Sequence, residues 1–385
     1  MTTRPPAQPA YILRGHTAQI HALHFLRANT RLLSGDADGF VVLWDMVSRR
    51  PAGVWRPHEK SILGMDSWGS DKILTHGRDD WLRVWQVPST AEAEMSRALP
   101  AEGAEVERRS PWLLHSLRVN SLSFCKFAMC PVAKDQDGVL VGVPGIKDGV
   151  VDIWELPSEK RLHSVPPSTA VQATMSMAIK LLRLQDDTLC LVLGNEAGAT
   201  TVQVFDAENK VWMTMYSAKP HSQPILSLDL SWSAGRYFTS SADAVVASHP
   251  LPNSFKDKLR SEEVVSIKTG HSGQQGLAVR GDGRVFATAG WDTKIRVYGL
   301  KSLNEIAVLK WHKEGCYSIA FADIGPARTK TNEREAEDKV SSLEVVFTQA
   351  PSSLTVKQRR ELRTKETHWL AAGSKDGKVS LWDIF

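Results

Sequence analysis

Ser34, His16 and Asp38 are the residue types of a nucleophile, a general base and the carboxylate that orients it, so hydrolytic chemistry is the first reading they invite. The set does not stand alone. His58 is followed by Asp79, His115 by Asp148, His221 by Asp243, His271 by Asp292 and His312 by Asp376. A catalytic triad has no reason to recur along a chain, and packing does. A partly buried imidazole needs an acceptor and a buried carboxylate needs donors, so each pair can tie the turn leading into a structural unit to a turn further along it.

Other chemistry is sparse. Gly373-Ser-Lys-Asp-Gly377-Lys378-Val379 superficially suggests a phosphate loop, but it has one residue too few between its glycines and lacks the Ser or Thr that would hold magnesium. Cys125, Cys130, Cys190 and Cys316 form no CxxC pair and have no His at zinc spacing, which leaves them as small apolar side chains. The residues therefore point to no enzyme, no cofactor and no metal. A net charge of +4 over 385 residues does not make the case for a nucleic-acid binder.

The elements that position these residues are repeated strands. Seven times a hydrophobic strand ends in an aromatic or its stand-in: Leu43-Trp44-Asp45, Val84-Trp85-Gln86, Ile153-Trp154-Glu155, Val204-Phe205-Asp206, Ser248-His249, Val297-Tyr298-Gly299 and Leu381-Trp382-Asp383. Six residues earlier stands the turn Asp, in every unit but the fourth. Apolar residues usually follow the His at plus four and plus seven, as in His16, Ile20 and Leu23, His58, Ile62 and Met65, His115, Val119 and Leu122, and His221, Ile225 and Leu228; His271, with Gln275 and Ala278, is a weaker copy. This is the WD-type pattern of a propeller blade, and it predicts an all-β, seven-bladed WD40 propeller as a single domain over 1–385. The blade-ending Trp residues are then packing between blades.

The chain runs out at a third strand, Val379–Phe385, so the segment Tyr11–Arg14 is expected to supply the missing outer strand and close the ring. No apolar run is long enough to span a membrane, which predicts a soluble, intracellular protein. Insertions fall at about 88–110, 128–137 and 323–367. Their places in the repeat predict that all three crowd one face and leave the other clean. The first has helix-favouring composition; in the third, Lys330–Lys339 reads as disordered, Leu343–Phe347 as a stray strand and Val356–Lys365 as a basic helical run, either a solvated loop or a nuclear-import or acidic-partner patch. On the opposite face, the residues before each turn Asp are Ala37, Arg78, Lys147, Ala242, Trp291 and Lys375. Arg78, Lys147, Trp291 and Lys375 make a rim suited to an acidic, partly apolar partner.

Leu13-Arg-Gly-His-Thr17, Leu32–Gly39, Thr75-His-Gly-Arg-Asp-Asp80 and the closing run His368–Asp383 resemble the fungal ASTRA-associated WD-repeat proteins, which are similar to the guanine-nucleotide-binding beta-subunit-like proteins of animals. The resemblance implies a nuclear, non-enzymatic scaffold subunit of the ASTRA assembly. That assembly is linked to chromatin remodelling, RuvB-like ATPases, the Tel-Tti co-chaperone and the maturation of PI3-kinase-like proteins. It implies no catalytic residue. Two alternatives are a peptide-reading module at the rim and a ubiquitin-ligase substrate receptor. The second commonly has an Arg two residues after the Trp-Asp pair, where this chain has Val47 and Phe385.

Overall fold

The computed structural model describes residues 7–103, 105–133, 137–257, 264–323 and 354–384. Strands β1 to β28 form seven four-stranded antiparallel sheets arranged as the blades of a propeller. Blade 1 runs over Ile20–Trp55, blade 2 over Ile62–Arg118, blade 3 over Ala128–Val165, blade 4 over Ser176–Ala218, blade 5 over Ile225–Lys268 and blade 6 over Gln274–Lys310. Blade 7 combines β26 (Cys316–Phe321), β27 (Trp369–Ser374) and β28 (Val379–Asp383) with β1 (Tyr11–Leu13). Tyr11 pairs with Leu381 and Leu13 with Val379, so the N-terminal strand closes the ring as expected.

The core is not one mass but seven clusters, each shared by two neighbouring blades. Leu33, Leu43 and Trp55 of blade 1 meet Ile62, Ile73 and Trp85 of blade 2, and Leu13 and Leu381 of blade 7 meet Ile20 and Trp44 of blade 1. The contact has a steric rule. A Cβ added to Gly35 on β3 (Arg31–Asp36) would lie 2.8 Å from Ile62 Cγ2. The same holds for Gly194 against Ile225 at 2.6 Å and Gly373 against Ile20 at 2.5 Å. The isoleucine four residues after His16, His58 and His221 is therefore a knob, and the glycine on the preceding blade is its hole. The register shifts just before the aromatic slot, at Leu43/Trp44, Val84/Trp85, Ile153/Trp154 and Val297/Tyr298. This bulge rotates the ring out of the alternating pattern.

Three expectations about the insertions need correction. Residues 128–131 are not insertion: Ala128–Pro131 is β10, the first strand of blade 3. His115 belongs instead to β9 (Trp112–Arg118), the outer strand of blade 2, and Leu122 is 74% exposed rather than strand core. Nor does the insertion 88–110 stay on one face. It contains two 3-10 turns, Ser89–Ala93 and Pro100–Glu102, rather than an α-helix. Glu92 meets Arg27 and Arg31 beside the first turn of blade 1, with Arg31 Nη2 at 2.6 Å. Further on, Ser96 O accepts from Val54 N at 2.7 Å, Ala101 N donates to Gly15 O at 2.9 Å, and the Arg108 guanidinium lies 5.2 Å from the Phe40 ring. The segment is thus a strap up the outer edge of blade 1, covering the open ladder of β5 (Arg50–Trp55).

In the third insertion, Val356–Glu366 is an α-helix, capped by Thr355 and Gln358. Trp369 Nε1 fastens it by donating to Thr364 O at 3.2 Å. The expectations for Lys330–Lys339 and Leu343–Phe347 lie outside the described residues.

Candidate functional site

Three blades build the Ser/Thr–His–Asp set into a closed relay. In blade 1 the His16 Nδ1 meets Asp36 Oδ2 at 2.6 Å, His16 Nε2 meets Ser34 Oγ at 2.7 Å, and Trp44 Nε1 donates to Ser34 Oγ at 2.8 Å. The carboxylate is Asp36, not Asp38, because Asp36 also accepts from the backbone N–H groups of Asp38 and Phe40 and so organises the turn. Blade 2 repeats the arrangement with Asp79, His58, Thr75 and Trp85. Burial depresses the His58 pKa despite Asp79. Burial alone would raise the Asp79 pKa, but bonds from His58 and Arg83 outweigh it and hold the carboxylate well below its usual range.

Blade 5 replaces the tryptophan with His249. His221 Nδ1 lies 3.1 Å from Asp243 and His221 Nε2 lies 2.9 Å from Thr239 Oγ1. His249 Nε2 is 3.0 Å from the same hydroxyl, and Tyr216 Oη is 3.0 Å from His249 Nδ1. One assignment of protons satisfies every contact: Tyr216 donates to His249, His249 to Thr239, Thr239 to His221, and His221 to Asp243. His249 must then be neutral, and burial lowers its pKa to about 3.

Elsewhere the set is rearranged. In blade 7 the hydroxyl has crossed the ladder: Ala372 on β27 pairs with Ser380 on β28, and Ser380 Oγ receives Trp382 Nε1 and meets His312 Nε2, both at 2.8 Å. Asp376 is 3.8 Å from His312. In blade 6 His271 stays partly exposed at 3.8 Å from Asp292, whose carboxylate Arg296 occupies at 2.6 Å. His115 and Asp148 do not form a pair; His115 meets Glu159 instead, and Asn120 bonds Gly145 O at 2.5 Å across blade 3. Blade 4 uses Asn195, which accepts from Ala199 N as Asp36 accepts from Phe40 N. The hydroxyls of Ser34 and Thr239 are buried within the blades, where a substrate cannot approach them.

The accessible chemistry lies at the axis. First strands from around the ring enclose a cavity of about 380 Å³, whose opening carries His21, Arg78, Phe124, Lys126, Gln275 and Tyr317. His21 stacks on Tyr317 with centroids 5.9 Å apart. Burial lowers the His21 pKa; Asp36 opposes the shift and Arg78 adds to it. Arg78 lies 4.4 Å above the Phe124 ring. Further along, Lys180 and Asp229 form a 2.8 Å ion pair.

Of the four rim residues read from the sequence, Arg78 alone lines this opening. Lys147 and Lys375 are exposed on their own turns. Trp291 is half-exposed, donates to Gln275 Oε1 at 2.7 Å and packs flat over Gly273. Phe124 and Lys126 escape a reading by sequence because the spacing around His115 shifts the apparent first strand of blade 3 by several residues.

A profile for ASTRA-associated protein 1 matches residues 9–382. The protein of that name from Verticillium alfalfae is 45% identical over 98% of this chain and 93% of its own length. The one from Penicillium rubens is 41% identical over 99% of this chain and 98% of its own. That from Schizosaccharomyces pombe is 33% identical over 81% and 93%.

Proposed function

The chain belongs to the ASTRA-associated protein 1 family, and from that membership we propose that it is a non-enzymatic scaffold subunit of the ASTRA assembly, working in the nucleus. Its partners would be the RuvB-like ATPases and Tel-Tti co-chaperone of an assembly concerned with chromatin remodelling and the maturation of PI3-kinase-like proteins. The observation that carries this reading is the enclosure of the recurring Ser/Thr–His–Asp sets inside the blades. Their chemistry is spent on holding turns together, which leaves two broad faces and a strapped edge for other proteins. The rim residues Arg78, Lys147, Trp291 and Lys375 are candidates for contact on one face, and the basic helix Val356–Glu366 on the other.

Affinity purification of the tagged protein from its own nuclear extract, followed by mass spectrometry, tests the proposal. RuvB-like ATPases and co-chaperone subunits should accompany the wild type. Their loss from a folded variant lacking residues 330–365 would assign contact to the insertion face. A wild type that recovers none of them would leave the proposal without support.

A further inference from the structure

Residues 119–127, which lead into blade 3, are built inside out. Ser121, Ser123 and Cys125 face inward and are buried, while Leu122 and Phe124 face solvent at 74% and 61% exposure, followed by exposed Lys126. This is not a slack loop. Val119 N donates to Asp80 O at 2.9 Å, Ser121 Oγ donates to Asp80 Oδ1 at 2.5 Å, and Asn120 Nδ2 donates to Gly145 O at 2.5 Å. The outward apolar side chains are therefore held in place by the turns of two blades. Beside Gly145 stands Ile146, 88% exposed.

Cations border these apolar groups. Arg78 lies on the Phe124 face, Lys126 points into the axial opening, and Lys147 follows Ile146. Asp148 is the exposed carboxylate on the Lys147 turn, and Asp80 is already engaged by Ser121. Among the ion pairs of the described residues, none involves Arg78 or Lys147, whereas Arg83 nearby is paired; Lys126 lines the axial cavity, where burial and Lys180 lower its pKa and Asp229 and Asp66 oppose the shift. An apolar strip this exposed, rigid and bordered by unspent positive charge is the composition of a docking site.

We propose that Leu122, Phe124 and Ile146, with Arg78 and Lys147, form a docking surface for an acidic peptide segment carrying apolar anchors. It rests on the scaffold reading, for which it supplies the chemistry of one partner. Carboxylates of the segment pair with the two cations while its Leu or aromatic side chains cover the strip. The aliphatic Leu122 and Ile146 favour a peptide over a nucleic acid, whose bases stack on aromatic rings.

The test is panning of the full chain against a displayed library of random twelve-residue peptides, with affinities of the enriched peptides measured by fluorescence anisotropy. Enrichment of sequences mixing Asp or Glu with Leu, Phe or Trp is expected. Affinity should fall at least tenfold in Arg78→Glu/Lys147→Glu and in Phe124→Ser/Ile146→Ser, and stay within twofold in Lys357→Glu/Arg360→Glu on the other face. All substituted side chains are exposed, and circular dichroism verifies folding. No enrichment, enrichment of basic sequences, or peptides indifferent to the Arg78 and Phe124 variants would overturn the proposal. So would single-stranded RNA that displaces the peptides and binds more tightly than they do. Co-purification from nuclear extract is scored separately: if wild type recovers ASTRA partners while peptide docking fails, this surface falls and the scaffold reading stands; the reverse result separates them in the other direction.

Discussion

Burial lowers the pKa of four histidines within the blades, His58, His76, His221 and His249, and this makes stability respond to pH in a direction that geometry dictates. Burial lowers the pKa of His58 and His221 below the ordinary 6.5, and lowers His76 and His249 to about 3. A group with a depressed folded pKa takes its proton first in the unfolded chain. Stability is therefore full above about pH 6.5 and falls as pH drops toward the folded values. Between pH 6.5 and 5 each of the two deepest histidines should cost about 1.5–2 kcal/mol, since the loss approaches roughly 1.4 kcal/mol for every pH unit below the unfolded pKa. His249→Ala separates its two roles. At pH 7 it should destabilise by about 2–4 kcal/mol, since Tyr216 and Thr239 lose their partner and a void remains. Its slope between pH 6 and 5 should be shallower than wild type by about 1.4 kcal/mol per pH unit in urea unfolding. His76 is the contrasting case: it is fully buried, both ring nitrogens have no partner among the described residues, and Phe127 approaches edge-on at 6.2 Å. His76→Leu should stabilise by about 1 kcal/mol at pH 7 and by more at pH 5. A loss of stability at both pH values would mean that the imidazole is bonded after all. The aromatic slots, His249 in the fifth among them, are legible in the sequence because they recur at a fixed place in the repeat; what His249 does there is not, since its role depends on Tyr216 from the neighbouring blade.

At the scale of elements, the strap 88–110 shows what sequence position conveys and what it leaves open. Its site in the repeat, between the third and fourth strands of blade 2, is legible from the slots on either side. Its path is not, because it is set by Glu92 meeting Arg27 and Arg31 and by Leu99 lying against Gly15, contacts that cross from one blade to another. A Cβ on Gly15 would come within 2.6 Å of Leu99 Cδ2. Blade 3 misleads for a related reason: His115, Val119 and Leu122 imitate the spacing of a first strand, but the chain has already spent His115 on the outer strand of blade 2. The basic helix, by contrast, is readable because its cap and composition are local. Glu92→Ala should leave two partly buried guanidiniums without their carboxylate and lower stability by about 2 kcal/mol, less than a fully buried pair would lose. Detachment of the strap should appear as faster tryptic cleavage at Arg97, Arg108 and Arg109. If cleavage stays at the wild-type rate while stability drops, Glu92 serves the turn of blade 1 and does not hold the strap.

At the scale of the whole molecule, every cluster of the core bridges two blades, so no blade owns a core that would survive alone. Stability then passes from neighbour to neighbour around the ring, as in other repeat architectures, with the difference that a closed ring has no capping unit. The three-residue strand Tyr11–Leu13 is the closure, and Leu13 is 1% exposed in the cluster joining blade 7 to blade 1. Leu13→Asp places a carboxylate in that cluster and sets the new charge against the ladder to β28. The expected loss exceeds about 4 kcal/mol, because an unpaired buried charge adds to the lost apolar contact. The form of the transition carries more information than its size. If closure couples all seven blades, tryptophan fluorescence and far-ultraviolet circular dichroism should shift together to lower urea concentration in one transition. Trp44, Trp55 and Trp382 lie at boundaries near the closure, whereas the ladders of blades 3 to 5 contribute most of their signal far from it. Fluorescence changing at lower urea than circular dichroism would therefore mean that the distant blades persist in an open arc. A scaffold that must present both faces in fixed relation needs the first behaviour, since an open arc no longer fixes the axial opening at which Arg78 and Phe124 meet.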